Sequence, residues 1–584
     1  MRVGVVASLA RAAPRLDLED PGLARTRKQM SRSAWLAAWA THQLLEGRDI
    51  PREELAAFFV VGPANGSLDD VLRILAASTE DGRLDVARFA RKGVAACNPL
   101  LAFQLMNNFT LCHAAIREGI QGPNGAFFAA PEHALAEAAR ALSEVPWAIV
   151  VAADSTVDPV RRHERGGDAG GEAVVGLLLG RDADTCISVD ISAFKADTYD
   201  TLIHDVSPYG VAAAPLAWLE RLEPRRPSLP VRGAGRRVVI TGVGACSAFG
   251  EGIRTLWDGL AAGANPAHPA AHLPGFPAVA AISRLPEVDL PREWCRDRRV
   301  PLTVAAALEA WHMAGNPDGL ALSLGLGLEH AWLEDLLPLV TDAGLDWSRA
   351  RQGLWFRSPF DLPARGMARL IPFSGPRLVH ASACAGGTLA VAQAATWVAA
   401  GEAERVLCGG GDSMLNPLGV AGLQKLGVTS AKGECRPFDL RRDGIVVGEG
   451  AGCFVVESEE SAQARGAPIL AVVEGWASTQ DGWAATAPRP DGAPAERAMR
   501  RALAMAGRVQ VDHVAAHGTG TPLNDEAEMA AIARILRDVE VGSFKGALGH
   551  TMAAAGALEL AGLLSAFVTG ILPGTAGHEL PDPQ

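Results

Sequence analysis

Lysine is scarce in this chain: six of its 54 basic residues, at positions 28, 92, 195, 425, 432 and 545, and tyrosine occurs twice in 584 residues. No basic tract relieves a balance of 54 basic against 66 acidic residues, net −12. Nucleic acids bind to clustered positive faces, so they are excluded as partners. The nine cysteines (97, 112, 186, 246, 295, 384, 408, 435 and 453) are odd in number and form no CxxC pair. That argues against a disulfide framework or a cysteine-built zinc site, and for a reducing, cytoplasmic setting. The first 22 residues have too short an apolar run, with acids following, to be a signal peptide. The longest apolar stretch, Thr551 to Pro573, holds Glu559 and several glycines. A core helix is expected there, and no membrane association. What is present, 48% hydrophobic and 21% charged residues, suits a folded protein of two to four domains.

Residues 223–235, EPRRPSLPVRGAG, carry three prolines, two glycines and no apolar period, and read as a linker. On either side the same events recur in one order. VGVVAS opens at residue 3 and VVITGVG at 238. ALAEAARAL (134–142) leads to AIVVAADSTVDP (148–159), as TLAVAQAATWV (388–398) leads to RVLCGGGDSMLNP (405–417). GGEAVVGLLLG (170–180) then answers VVGEGAGCFVVE (446–457). This is an internal duplication. Its strands are unbroken apolar runs alternating with alanine-rich helices, the pattern of an α/β sheet covered on both faces.

Cys384 lies among small residues in HASACAGGTLA, directly before an alanine-rich helix. The positive end of the helix dipole there favours a thiolate, the nucleophilic form, and free N–H groups could hold an oxyanion. An inert buried cysteine would look similar. Two histidine motifs tip the balance: VAAHGTGTP places His517 after a strand in a tight turn, and KGALGHTMAAAG places His550 at the mouth of a small-residue helix. With so few lysines, Lys545 five residues before His550 is improbable by composition.

From Arg236 onward the chain resembles the β-ketoacyl-(acyl-carrier-protein) synthases of the elongating type. The likeness rests on VVITGVGACSAFG, SACAGG, RPFDLRRDGIVVGEGAG (436–452), AHGTGTPLNDEAE (516–528) and SFKGALGHTMAAAG (543–556). It implies a thiolase-like, layered αβαβα fold. By resemblance, Cys384 accepts the acyl chain, His517 and His550 are the catalytic histidines, and Lys545 supports them. Thr519 and Thr521 match contacts to the phosphopantetheine arm, and Glu528 the acid behind the site. The implied reaction is decarboxylative Claisen condensation of an acyl-cysteine with malonyl-acyl carrier protein, in fatty-acid or polyketide and polyene synthesis. No metal or cofactor is implied, since the substrates ride on the carrier protein. The rival readings are a catalytically silent chain-length factor or scaffold subunit, and a thiolase acting on coenzyme A esters. Family members continue past a segment like 572–583 into closing strands and a Phe-Gly-Phe-Gly-Gly turn, which this sequence does not contain.

Residues 1–222 resemble the shortened ketosynthase-like domains found beside pigment and polyene synthases. Where a nucleophile would fall, GPNGAFFAAPEHAL (122–135) holds no Cys, Ser or Thr, and no histidine motif follows. Cys112 sits in a helical pattern as a core residue. Ketosynthases resemble one another in forming two-fold dimers, so this domain is expected to dock on residues 236–584 as an intramolecular pseudo-dimer partner. Its strand at 148–153 is expected to pair with the second domain, and Phe127 and Phe128 to sit near the interface, limiting acyl-chain depth. A further ketosynthase subunit could join the complex.

Overall fold

The computed structural model describes residues 2–23, 27–62, 68–98, 108–155, 170–188, 212–223, 235–328, 332–341, 344–349 and 358–582. Most of the expected linker, 224–234, lies outside the described residues.

The apolar runs form strands. In the first half these are β1 (Arg2–Ala13), β2 (Leu55–Val60), β3 (Asn124–Phe127), β4 (Trp147–Ser155) and β5 (Glu172–Gly180). In the second they are β6 (Val238–Ser247), β7 (Leu320–Leu326), β8 (Phe373–His380), β9 (Arg405–Ser413) and β10 (Glu449–Ser458). All ten join one sheet in the order β6-β10-β9-β7-β8-β3-β2-β4-β5-β1, with short strands at both ends. The two halves repeat one pattern. β2 runs parallel to β3 and β4, and β5 is antiparallel to β4 and β1. Likewise β7 runs parallel to β8 and β9, and β10 is antiparallel to β9 and β6.

The halves meet where β3 and β8 run antiparallel, Phe127 opposite His380. The Phe128 N–H donates to the Val379 carbonyl (2.9 Å) and the Ala381 N–H to that of Ala126 (2.8 Å). The expected joining strand, 148–153, is instead interior to the first half as part of β4, between β2 and β5. Phe127 and Phe128 do lie at the junction, Phe127 edge-on to the His380 ring (5.4 Å) and Phe128 against Phe360 (5.4 Å).

The duplication reaches buried polar groups. Glu172 accepts from Arg32 Nε (2.8 Å), Ser155 Oγ (3.2 Å) and the Leu16 N–H (2.7 Å). Glu449 accepts from Arg298 Nε (2.6 Å), Ser413 Oγ (2.8 Å) and the Ile282 N–H (3.0 Å). A buried carboxylate costs several kcal/mol unless bonded in this way, so both halves keep the same solution.

Helices cover both faces. α1 (Arg32–Leu45) and α3 (Arg299–Met313) pack on one; α2 (Pro131–Ala141) and α4 (Gly386–Ala399) pack on the other. Beyond α4 the second half adds α5 (Ala493–Ala506), β11 (His513–Ala515), α6 (Pro522–Ile535), β12 (Glu540–Gly542) and α7 (Ala555–Thr569). β11 and β12 pair as a small parallel sheet, against which α5 and α6 pack. Met552–Thr569 is long and apolar enough to cross a membrane by length and composition, yet 61% of it is buried, α7 lying against β9 and β10. The expected core helix is what the sequence forms.

Candidate active site

β8 ends at His380, and the chain turns through a short 3-10 segment, Ala383–Ala385, into α4. Ala383 sits at φ +46°, a left-handed conformation that a non-glycine residue adopts at a cost of order 1–3 kcal/mol. The turn thereby presents Cys384 just ahead of the helix. Two glycines allow the next approach. A Cβ on Gly387 of α4 would stand 2.8 Å from the Ala553 carbonyl oxygen, and one on Gly410 of β9 2.5 Å from it. Without a Cβ at either position the turn after His550 can press onto α4.

The three residues singled out from the sequence converge. One donor atom each of Cys384, His517 and His550 lie within 4.8 Å of one another, and the two imidazoles meet edge to face, centroids 5.3 Å apart. The Met552 N–H donates to His550 Nδ1 (3.1 Å). Burial, reinforced by the Lys545 charge, holds His550 well below the ordinary histidine pKa, so the ring is neutral. With Nδ1 accepting, its single proton is on Nε2. Burial lowers His517 in the same way, Lys545 and His550 adding to it. Met552 itself sits at φ +48°, a second strained residue in the site.

The thiolate expected at Cys384 does not follow. Burial pushes the thiol up to about 11; the Lys545 ammonium opposes this, and Asp412 reinforces it. A helix N-terminus is too small an effect to outweigh loss of water.

Lys545 is almost fully buried and pairs with Glu559 of α7. Glu528 of α6 accepts from the His517 N–H (2.7 Å) and the Gly518 N–H (2.8 Å), holding the histidine's backbone. Thr519 and Thr521 follow in the same turn, hydroxyls 2.8 Å apart. Three carboxylates were missed by the sequence reading. Asp525, one turn before Glu528, accepts from Thr519 N–H (2.9 Å), Gly520 N–H (3.2 Å) and Phe438 N–H (2.9 Å). Glu559 was visible only as a lone acid in an apolar run. Asp412, pushed up to about 7 by burial, accepts from the Ala553 N–H (3.0 Å). Cys384 packs against an apolar cluster that includes Val71, Ile74, Leu75 and Phe89 from the first half, which no local pattern ties to it. Cysteine and histidine are zinc ligands by type, but the Nε2 proton of His550 and the Lys545 charge both oppose a cation.

The chain matches the family models "Beta-ketoacyl synthase, N-terminal domain" over residues 296–462 and "Beta-ketoacyl synthase, C-terminal domain" over 470–579. It is 36% identical over 377 residues to nodulation protein E of Rhizobium leguminosarum bv. trifolii, covering 60% of this chain and 90% of that protein. The chain belongs to the β-ketoacyl synthase family. This synthase is also 33% identical to a putative mitochondrial 3-oxoacyl-[acyl-carrier-protein] synthase of Schizosaccharomyces pombe, covering 59% of this chain and 90% of that one. Among solved structures it superposes on the ishigamide ketosynthase/chain length factor at TM-score 0.53, with 32% identity over 60% of this chain and 90% of the other. A type II polyketide ketosynthase in complex with its acyl-carrier protein gives TM-score 0.53 at 25% identity, with the same coverage. The synthase is an acyltransferase with a thiolase-like fold.

In the first half, counting four residues past Phe127 as Cys384 stands four past His380, the position matching Cys384 is Pro131. Proline opens α2 without a thiol, hydroxyl or strained turn. Cys112 lies in the helix Phe109–Glu118, half-buried, its thiol pushed up to about 11 by burial.

Proposed function

We propose that the second half performs decarboxylative Claisen condensation on acyl-carrier-protein thioesters, with Cys384 as acyl acceptor and His517 and His550 as donors to the enolate. In the first step Cys384 Sγ attacks the thioester carbonyl. A new C–S bond forms, the carrier's C–S bond breaks, and the cysteine's proton leaves on the phosphopantetheine thiol. The exchange of one S–H for another needs no net base, but the attacking form is the thiolate, so the Cys384 proton is given up as the C–S bond forms.

The malonyl thioester on a second carrier then loses carbon dioxide. The C–C electron pair becomes an enolate whose oxygen needs donors in a dry pocket; each is worth roughly 10²–10³ in rate. His550 Nε2–H and the neutral His517 ring are placed to supply them. The carbanion attacks the acyl-cysteine carbonyl, releasing the Cys384 sulfur, which takes a proton, and leaving a β-ketoacyl chain on the carrier. Lys545, paired with Glu559, keeps both rings neutral by its charge. Glu528 fixes the His517 turn, and Thr519 and Thr521 face the arm. No cofactor enters this scheme.

The observation that carries this reading is the convergence of one thiol and two neutral imidazoles, the proton of one fixed on Nε2 by a backbone donor. Release of labelled carbon dioxide from malonyl-carrier protein tests it. His517→Ala and His550→Ala should each abolish condensation and leave acyl loading of Cys384 largely intact, while Cys384→Ala should lose loading and keep some decarboxylation. Loss of loading in a histidine variant as complete as in Cys384→Ala would overturn the assignment.

The first half, residues 1–222, serves on this reading as a non-catalytic ketosynthase-like domain that docks as pseudo-dimer partner, joined through a linker at 223–235. Its support is the repeated strand order meeting at β3 and β8, together with the share that Val71, Ile74, Leu75 and Phe89 take in the apolar cluster against which Cys384 packs. Those side chains, with Phe127 and Phe128, would limit acyl-chain depth. A cytoplasmic location and a further ketosynthase subunit accord with this scheme.

A further inference from the structure

Each half ends the strand that follows α2 or α4 with an Asp-Ser pair: Asp154-Ser155 on β4 and Asp412-Ser413 on β9. The serines do one job in both, bonding Glu172 and Glu449. Both aspartates also accept from the backbone N–H of the serine that follows, Asp154 Oδ1 at 2.8 Å, and Asp154 Oδ1 accepts from Ser33 Oγ (3.4 Å) of its own half as well. Asp412 Oδ2 accepts from the Ala553 N–H (3.0 Å), three residues beyond His550, in a turn whose sequence has no counterpart before residue 223. The serine bond is thus common to both halves, and the Ala553 bond belongs to the second half.

The carboxylate is tightly seated. Asp412 is 2% exposed, and a Cβ on Gly327 would fall 1.9 Å from its Oδ2. It leaves no freedom to the residue it holds. Ala553 directly follows Met552, whose backbone is strained and whose N–H sets the His550 tautomer.

We propose that Asp412 is a positioning residue for the condensation: by anchoring Ala553 it fixes the turn in which Met552 donates to His550 Nδ1, and so keeps the ring's proton on Nε2. The inference rests on the role given to His550 above. Without the anchor the strained turn relaxes, Nδ1 loses its donor, and the ring is free to rotate or change tautomer. Acyl loading does not use that proton, so only the decarboxylation half of the reaction should suffer.

The experiment compares the full-length chain with Asp412→Leu, Asp412→Asn and Asp154→Asn, following carbon dioxide release from malonyl-carrier protein, acyl loading of Cys384 and the melting temperature. Asp412→Leu should lower release about tenfold or more with loading within about threefold, as expected when one positioned donor is lost. Asp412→Asn keeps an oxygen for the Ala553 N–H and should restore release to within about threefold of the parent. Asp154→Asn, the matching change in the first half, should change neither rate. If Asp412→Leu does not fold, Asp412→Ala carries the same expectation. Release unchanged in Asp412→Leu, equal loss in Asp412→Asn, or loading falling in parallel with release would each overturn the proposal. His550→Ala run alongside separates the two claims: release unchanged there sinks the role of His550 itself.

Discussion

At Cys384, burial outweighs the helix terminus. With the thiol pushed up to about 11, its thiolate fraction at neutral pH is small and rises about tenfold per pH unit toward that value. Iodoacetamide labelling of Cys384 should therefore climb steadily between pH 7 and 10, and prior acyl loading should block it. Cys295 is half-buried like Cys384 and is raised too, so a rate that climbs with pH is common to both thiols; protection by the acyl group tells them apart. A plateau of Cys384 labelling already at pH 7 would mean a depressed pKa and contradict the burial argument. The histidines shift the opposite way. Both lie well below the usual histidine value, and a ring gains its proton only below its own pKa. Carbon dioxide release should thus stay flat from pH 8 down to 6; a falling acid limb centred near 6.5 would show a charged ring. Lys545 and Glu559 form a buried pair, and removing one partner strands the other. Lys545→Met should cost about 3–5 kcal/mol in unfolding stability, and Lys545→Met with Glu559→Leu should recover part of it. Lys545 was legible because lysine is rare here. Glu559 was not assigned because its partner is 14 residues away on another element, and no local pattern ties them.

At the scale of elements, legibility followed apolar continuity. The runs 148–153, 238–244 and 405–413 gave strands because a doubly covered strand must be apolar along its whole length. β3 was invisible for the same reason. Its four residues, Asn-Gly-Ala-Phe, have neither length nor pattern, and Gly125 is there because a Cβ would stand 2.4 Å from the Phe127 ring. Only tertiary pairing with β2 and β8 makes it a strand, so the join between halves was assigned to the longer run next to it. The His517 turn repeats the lesson. HGTGT was readable, but two carboxylates three residues apart on α6 hold it, and the resemblance supplied only Glu528. Asp525→Ala would leave three backbone donors without their acceptor, at about 1–3 kcal/mol each where water cannot replace it. It should lower the melting temperature by several degrees and reduce carbon dioxide release. A variant as stable and as active as the parent would show that water takes the carboxylate's place.

The whole molecule depends on how firmly its halves are joined. Two main-chain hydrogen bonds link β3 to β8, but such bonds contribute only about 0.5–1.5 kcal/mol each against water. More comes from burial. Two large apolar cores, one on each face of the sheet, run without a break through residues of both halves. Across the junction Arg140 of α2 pairs with Glu402, and Gln393 of α4 donates to the buried Glu137 (3.0 Å). Further out, Asn124 Nδ2 donates to Ser478 Oγ (3.1 Å) and Arg497 Nη2 to Gln121 Oε1 (2.8 Å). Separation would expose both cores, leave Glu402 without Arg140 and the buried Glu137 without Gln393, and leave β3 and β8 as open edges prone to aggregation. The covalent linker is then unnecessary for association once folding is complete. A protease site placed within residues 224–234 and cut after purification should give two fragments that stay together through gel filtration at micromolar concentration and keep condensation activity. Fragments that separate, with the larger one still soluble and active, would show that the first half is a passenger on a self-sufficient synthase.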